Sequence, residues 1–180
     1  MAVDTTTHKA TERVAAAGSG VGYQLLAFVE VLLLGVWLGA MGFFGFAVPQ
    51  SGFAVLPSRE LVGLLVTSTI TKVEILGLVI GGLLIVIQLV TWRTRGGAKS
   101  VRLMLIGLMV VAAAMSHFWF TPEIVRLRNA MGPALENVPL TDPLRIQFNH
   151  LHGYSVGLLM AAMICGVVTL FLTVRSWIKR

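Results

Sequence analysis

Charge, cysteine and recognisable reaction motifs are all scarce in this chain. Of its 180 residues only 12% are Asp, Glu, Lys or Arg, against roughly 25% in an average soluble domain. A soluble fold of this length has too little interior to hide a composition that is 56% hydrophobic. The single cysteine, Cys165, excludes an intrachain disulfide and any CxxC pair. There is no P-loop, GxGxxG or HExxH, so the common nucleotide, dinucleotide and zinc-hydrolase signatures are missing. No internal repeat, no low-complexity tract and no regular series of alternating strands is present, which argues against a barrel. The formal net charge of +6 does not point to nucleic acid. Lys and Arg flank long apolar runs, as membrane orientation requires.

Those runs are what the chain does have. A polar stretch, 1–20, reads as a mobile tail or a short surface helix. Four apolar segments follow, at about 22–48, 59–92, 102–120 and 144–177, each long enough to cross about 30 Å of hydrocarbon. In the first, Gly35, Gly39, Gly42 and Gly45 recur at helical spacing as a small-residue packing face, and Pro49 ends the helix. Ser58 is placed to cap the second at Arg59. After the third, Thr121-Pro122-Glu123 opens a short extra helix through Ala130, and Gly132-Pro133 stops it. The predicted fold is an all-α membrane protein: a four transmembrane helix bundle with that extra helix between helices 3 and 4, forming a single domain over 21–180.

Charge sets the orientation. The 93–102 connection carries Arg93, Arg95, Lys99 and Arg102 and no acid, and the C-terminus carries Arg175, Lys179 and Arg180. The connection between segments three and four balances Arg126, Arg128 and Arg145 against Glu123, Glu136 and Asp142. The positive-inside rule puts both termini in the cytoplasm of a multi-pass protein in the cell membrane, the inner one in a Gram-negative cell.

Depth follows from a rise of about 1.5 Å per residue. Glu30 lies about 12 Å inside from Gly22, and Gln88 about 7 Å from Arg93, close enough in depth to hydrogen-bond if their helices are neighbours. A carboxyl at depth is expensive and therefore a candidate for function. Glu74, beside Lys72, reads as half of an ion pair at the outer boundary. His117 lies roughly 22 Å along the third segment from Arg102, still within hydrocarbon. His150 and His152 fall at the outer boundary, so three of the four histidines collect at one membrane face.

His150 and His152 project about 200° apart on a helix, so they serve different faces. Asn149, His152 and Ser155 step by three and share one, which the cost of facing lipid turns into the bundle toward His117. Asn149 is placed to hold the His152 tautomer. The extra helix is expected to fold back over this mouth and bring Arg126 or Arg128 to it. The candidate polar site is therefore His117, Asn149, His150, His152, Ser155, Glu74, Arg126 and Arg128. Three readings of it stand. His117 with His150 or His152 would ligate haem b. His117 and His152 with Met115, or with Met41 or Met131, would hold a soft metal such as copper. Otherwise the histidines are interfacial and hydrogen-bonded, with Trp119 in the aromatic belt.

Several motifs in order resemble the transmembrane-protein-205-like group, known in bacteria as domain of unknown function 4149. They are Trp37-Leu38-Gly39 with Phe43-Phe44 and Ala47-Val48-Pro49, then Pro122-Glu123-Ile124 with Arg126-Leu127-Arg128, then Phe148 with Leu151-His152-Gly153-Tyr154-Ser155. Leu158 and Leu159 stand near the place where an asparagine would follow the closing motif. The resemblance implies a four-helix integral membrane protein and no particular reaction. The association of eukaryotic relatives with platinum-drug resistance points toward soft-metal handling.

The functional expectation is a non-enzymatic accessory or small transporter-like subunit with a shallow polar site at the outer face. A haem-binding redox protein and a copper-type metal protein are the alternatives. The lipid bilayer is the first partner. A second copy or a partner membrane subunit would pack on the Gly35/Gly39 or Gly153/Gly157 face.

Overall fold

The computed structural model describes residues 4–92, 99–132 and 137–178, with side chains described between residues 21 and 176. Its helices are α1 (Asp4–Phe46), α2 (Val48–Val55), α3 (Arg59–Val90), α4 (Lys99–Met115), a π-helical turn (Ser116–Phe120), α5 (Thr121–Met131) and α6 (Pro143–Ile178). Four stretches are long and apolar enough to cross a membrane: Val21–Val55, Arg59–Val90, Lys99–Met131 and Pro143–Ser176. They form a ring in which α1 and α4 each pack against α3 and α6.

One heptad-like stripe per helix faces the axis of that ring. On α1 it is Glu30, Leu34, Trp37, Met41 and Phe44; on α3 it is Glu74, Gly77, Gly81, Leu84 and Gln88. On α4 it is Arg102, Ile106, Met109 and Ala112, and on α6 Ala162, Gly166, Thr169 and Thr173. Spacings of three and four keep a seam on one side of a helix, the geometry of left-handed bundles. The remaining faces are apolar and outward, as in Phe28, Leu32, Val79, Val86, Ile164 and Phe171. A surface of that kind loses nothing in hydrocarbon.

Glycine allows the closest approach, though not where the spacing in α1 predicts it. Gly35 and Gly39 are exposed, and a Cβ added at either would meet nothing within 4 Å. The tightest glycines are on α3 and α6. The indole of Trp37 lies on Gly77 and Gly81, and Leu38 lies on Gly166. The small-residue face within the chain therefore belongs to the helix that receives Trp37, because a fully buried indole needs backbone-deep space opposite it.

Ser58 caps α3 as its position suggests, accepting from Leu61 N at 3.3 Å. Three other boundaries differ from expectation. Residues from Asp4 onward continue into α1 as helix. α1 ends at Phe46, close to Pro49 as expected, but a separate short helix follows at once, and Pro49 sits in the first turn of α2, where a missing N–H costs nothing. The third deviation is at Pro122. The short extra helix is present as α5, but α4, the π turn and α5 form one unbroken stretch. Thr121–Met131 therefore extends the third span and does not fold back across the mouth. A proline inside an α-helix collides with the carbonyl four residues back, and a widened π turn relieves that conflict.

Candidate functional site

The π turn also builds the first polar cluster. Ser116 and Thr121 are five residues apart, which on an α-helix would separate their side chains by about 140°. In the π turn the Thr121 backbone N–H reaches the Ser116 carbonyl, and both hydroxyls come to one side. They donate to the same carboxyl oxygen, Glu74 Oε1, Thr121 at 2.8 Å. His117 Nδ1 lies 3.1 Å from Glu74 Oε2, where the Nδ1–H tautomer donates. Glu74 is 4% exposed, whereas Lys72 is on the outer surface. The Lys72–Glu74 ion pair expected from sequence is thus replaced by a buried hub with donors from the π turn and α5.

A cavity of about 430 Å³ opens beside this hub. Along α3 its wall runs from Arg59 to Glu74, about 22 Å by helical rise. One end is polar, with Arg59, Glu60, Arg128, Arg145, Asn149 and His152. The shaft is apolar, with Phe44, Val66, Ile70, Leu159 and Met163, and it ends on Trp37, Met109 and Ala162 of the core. Glu74, Ser116 and Thr121 form one side of its deep part.

The residues singled out from sequence divide between these places. Asn149, His152, Ser155, Arg128 and Glu74 line the cavity, and the His152 ring stacks on Phe148 with centroids 6.1 Å apart. Arg126 does not line it. That side chain is exposed and pairs with Glu123 three residues away on its own helix, Nε to Oε2 at 2.8 Å. His150 is exposed and lies outside the cavity lining, its ring 6.5 Å from that of Tyr154. His117 also stays outside the lining and turns to Glu74. The pairing of His117 with His150 or His152 across one ligand gap is therefore not the arrangement found. Met115, the soft-metal candidate beside His117, is exposed. Among the described residues no group of three or more His, Cys, Asp or Glu side chains is placed to hold a metal ion.

A second polar cluster closes the opposite end of the bundle. Gln88 Nε2 donates to Glu30 Oε1 at 2.6 Å, joining α3 to α1, and both side chains are buried. This is the pairing that the depth count allows. Arg102, expected in the basic connection, is instead 1% exposed, and its Nη1 donates to Ser176 Oγ at 3.0 Å, joining α4 to α6. Arg93 and Arg95 of that connection lie outside the described residues. Between the two clusters stands an apolar layer of Leu34, Ile80, Leu84 and Ile106. Replacing Gln88 with Leu would take the amide donor from a buried carboxyl, so we expect a loss of about 1–3 kcal/mol in reversible unfolding in mixed micelles.

The fold and its two polar ends define a multi-pass helical membrane protein with a cavity reaching from one end to the centre. The chain belongs to the family described as Domain of unknown function (DUF4149), whose model matches residues 32–133. That stretch contains Glu74, Ser116, His117, Thr121 and Arg128 and ends before α6. No curated protein and no solved structure matches the chain.

Proposed function

We propose that this protein is a non-enzymatic binding subunit of the membrane, accessory or transporter-like, that takes an apolar ligand into the cavity beside α3. The observation that carries the reading is the cavity itself: a concave, mostly apolar space with a few polar groups at its ends, the usual form of a small-molecule site. With the basic 93–102 connection and the C-terminus on the cytoplasmic side, the cavity opens at the outer face. The layer of Leu34, Ile80, Leu84 and Ile106 then separates it from Glu30 and Gln88, so the conformation is closed on the inner side. As an accessory subunit the chain would meet a second copy or a partner helix on the Gly35/Gly39 or Gly153/Gly157 rows, where added Cβ atoms meet nothing.

The test is occlusion. Thr67 lines the shaft on α3 and is half-buried. Thr67→Phe should weaken binding of oleyl alcohol, followed by native mass spectrometry of the full chain in mild detergent, by at least about tenfold. The melting temperature should stay close to that of wild type. Equal binding by wild type and variant would end this reading.

A further inference from the structure

The polar end of the cavity holds a cation that no described carboxylate neutralises. Arg128 is half-buried and lines the cavity. Its guanidinium lies on the backbone of α3 at Gly63, where an added Cβ would come within 3.1 Å of Cζ. The glycine is what lets the planar group rest there. Among the described residues no carboxylate pairs with Arg128, whereas its neighbour Arg126 has Glu123. Charged side chains removed from water are ordinarily paired, so a guanidinium of this kind facing a cavity marks the place of an anion.

The surroundings narrow the class of anion. His152 and Asn149 line the same end and supply imidazole and amide donors. Arg59 and Arg145 lie there too, each engaged with a partner of its own, and so does Glu60, which leaves Arg128 as the guanidinium that faces the cavity. Arg145 is partly committed, its Nη1 donating to the Val138 carbonyl at 2.7 Å. Below the rim the α3 wall is mostly apolar for about 16 Å, from Gly63 to Glu74. Glu74 at the bottom is turned to Ser116, His117 and Thr121 and makes the deep end unwelcoming to a second anion. An anionic head at Arg128 and a single apolar tail toward Trp37 fit this distribution. Met41, Met109, Met160 and Met163 along the shaft give it the adaptability of a surface that meets flexible chains. One guanidinium with uncharged donors beside it matches a single negative charge, and a carboxylate is a head that a guanidinium grips with two parallel bonds.

We propose that the cavity binds a long-chain carboxylate drawn from the bilayer, with the carboxylate on Arg128 and the chain in the shaft. This rests on the reading of the cavity as a binding site.

The experiment titrates the full chain in mild detergent with oleate, with oleyl alcohol and with oleoyl lysophosphatidate, counting adducts by native mass spectrometry. Wild type should take up one oleate and bind it at least about tenfold more tightly than the alcohol, the scale of a charge-assisted contact. Arg128→Gln should bring oleate down to the affinity of the alcohol and leave the alcohol unchanged, and Arg128→Lys should recover part of the loss. If Arg128→Gln does not fold, Gly63→Ala, whose one added carbon meets only the Arg128 guanidinium, shifts that group from α3 without filling the shaft and should have the same selective effect in weaker form. Equal binding of oleate and alcohol, or an Arg128→Gln variant that keeps its oleate affinity, overturns the carboxylate assignment and leaves the cavity reading standing. Lysophosphatidate binding more tightly than oleate overturns it in favour of a phosphate head. Failure of all three probes to bind wild type removes the cavity reading itself.

Discussion

Gly77→Val should cost about 3 kcal/mol of stability, one of the two largest single-residue effects expected in the bundle. A Cβ at Gly77 would stand 2.6 Å from Trp37 Nε1 and 2.9 Å from Cε2, distances that real side chains do not adopt. Relief would require the indole to move, and it has nowhere to go. Trp37 is 1% exposed and lies also on Gly81, onto which Val110 is pressed from α4. Overpacking a filled core ordinarily costs about 1–3 kcal/mol, and a clash with an immobile ring belongs at the upper end. Gly82 is the control. An added Cβ there meets nothing within 4 Å, so Gly82→Val should change stability by less than about 0.5 kcal/mol. Reversible unfolding in mixed micelles reads both. A double-mutant cycle of Gly77→Ala with Trp37→Leu should show strong coupling, since the smaller side chain frees the space that the methyl needs. Simple additivity in that cycle would mean that the indole is not what Gly77 accommodates.

The four spans were legible in the sequence because length and absence of charge are enough to define them, and the bundle follows from hydrocarbon thickness. What the sequence obscured was which glycines matter. Glycine spacing in α1 looks like a packing face, yet the face that packs is set by the position of Trp37. A large side chain declares nothing about its receiving helix until the two are docked. The polar residues carried a stronger signal. Glu74 and Gln88 are 14 residues apart, two heptads, and so lie on one stripe of α3 with Gly77, Gly81 and Leu84 between them. That spacing already turns Glu74 inward and away from Lys72. Arg102 was hidden by its neighbours: in a basic connection a buried arginine reads like any other boundary charge. Ser116 and Thr121 were hidden by the π turn, because helical periodicity of 3.6 assigns them to positions that a shifted register moves. The proline at 122 is the sequence feature that could have flagged it.

Glu74→Leu should destabilise the protein by about 3 kcal/mol, and the reason lies in what its partners can do without it. Glu74 is the acceptor for the Ser116 and Thr121 hydroxyls and faces His117 Nδ1; the carboxyl and Ser116 are buried, and Thr121 and His117 are half-buried. Removing the carboxyl leaves three donors, and a buried donor without a partner costs about 1–3 kcal/mol. The three losses are not equal. A hydroxyl on a helix can turn to the carbonyl four residues back, as Thr69, Thr71, Thr91 and Thr169 do elsewhere in this chain. Ser116 has that route, so its loss is small. For Thr121 the route leads to the His117 carbonyl, which the Thr121 N–H leaves for Ser116 and Pro122 has no N–H to take, so its loss is small too. His117 has no local substitute for the carboxyl oxygen, so it dominates the cost. Glu74→Gln separates the contributions. The amide keeps one oxygen for the two hydroxyls and presents an N–H₂ to His117, which must then take the other tautomer; a loss of about 1 kcal/mol is expected. The order Leu worse than Gln, read by unfolding in mixed micelles, follows from the hub. A Glu74→Leu variant as stable as wild type would show that apolar packing suffices at this position, and that the hydroxyls and the imidazole do not depend on the carboxyl.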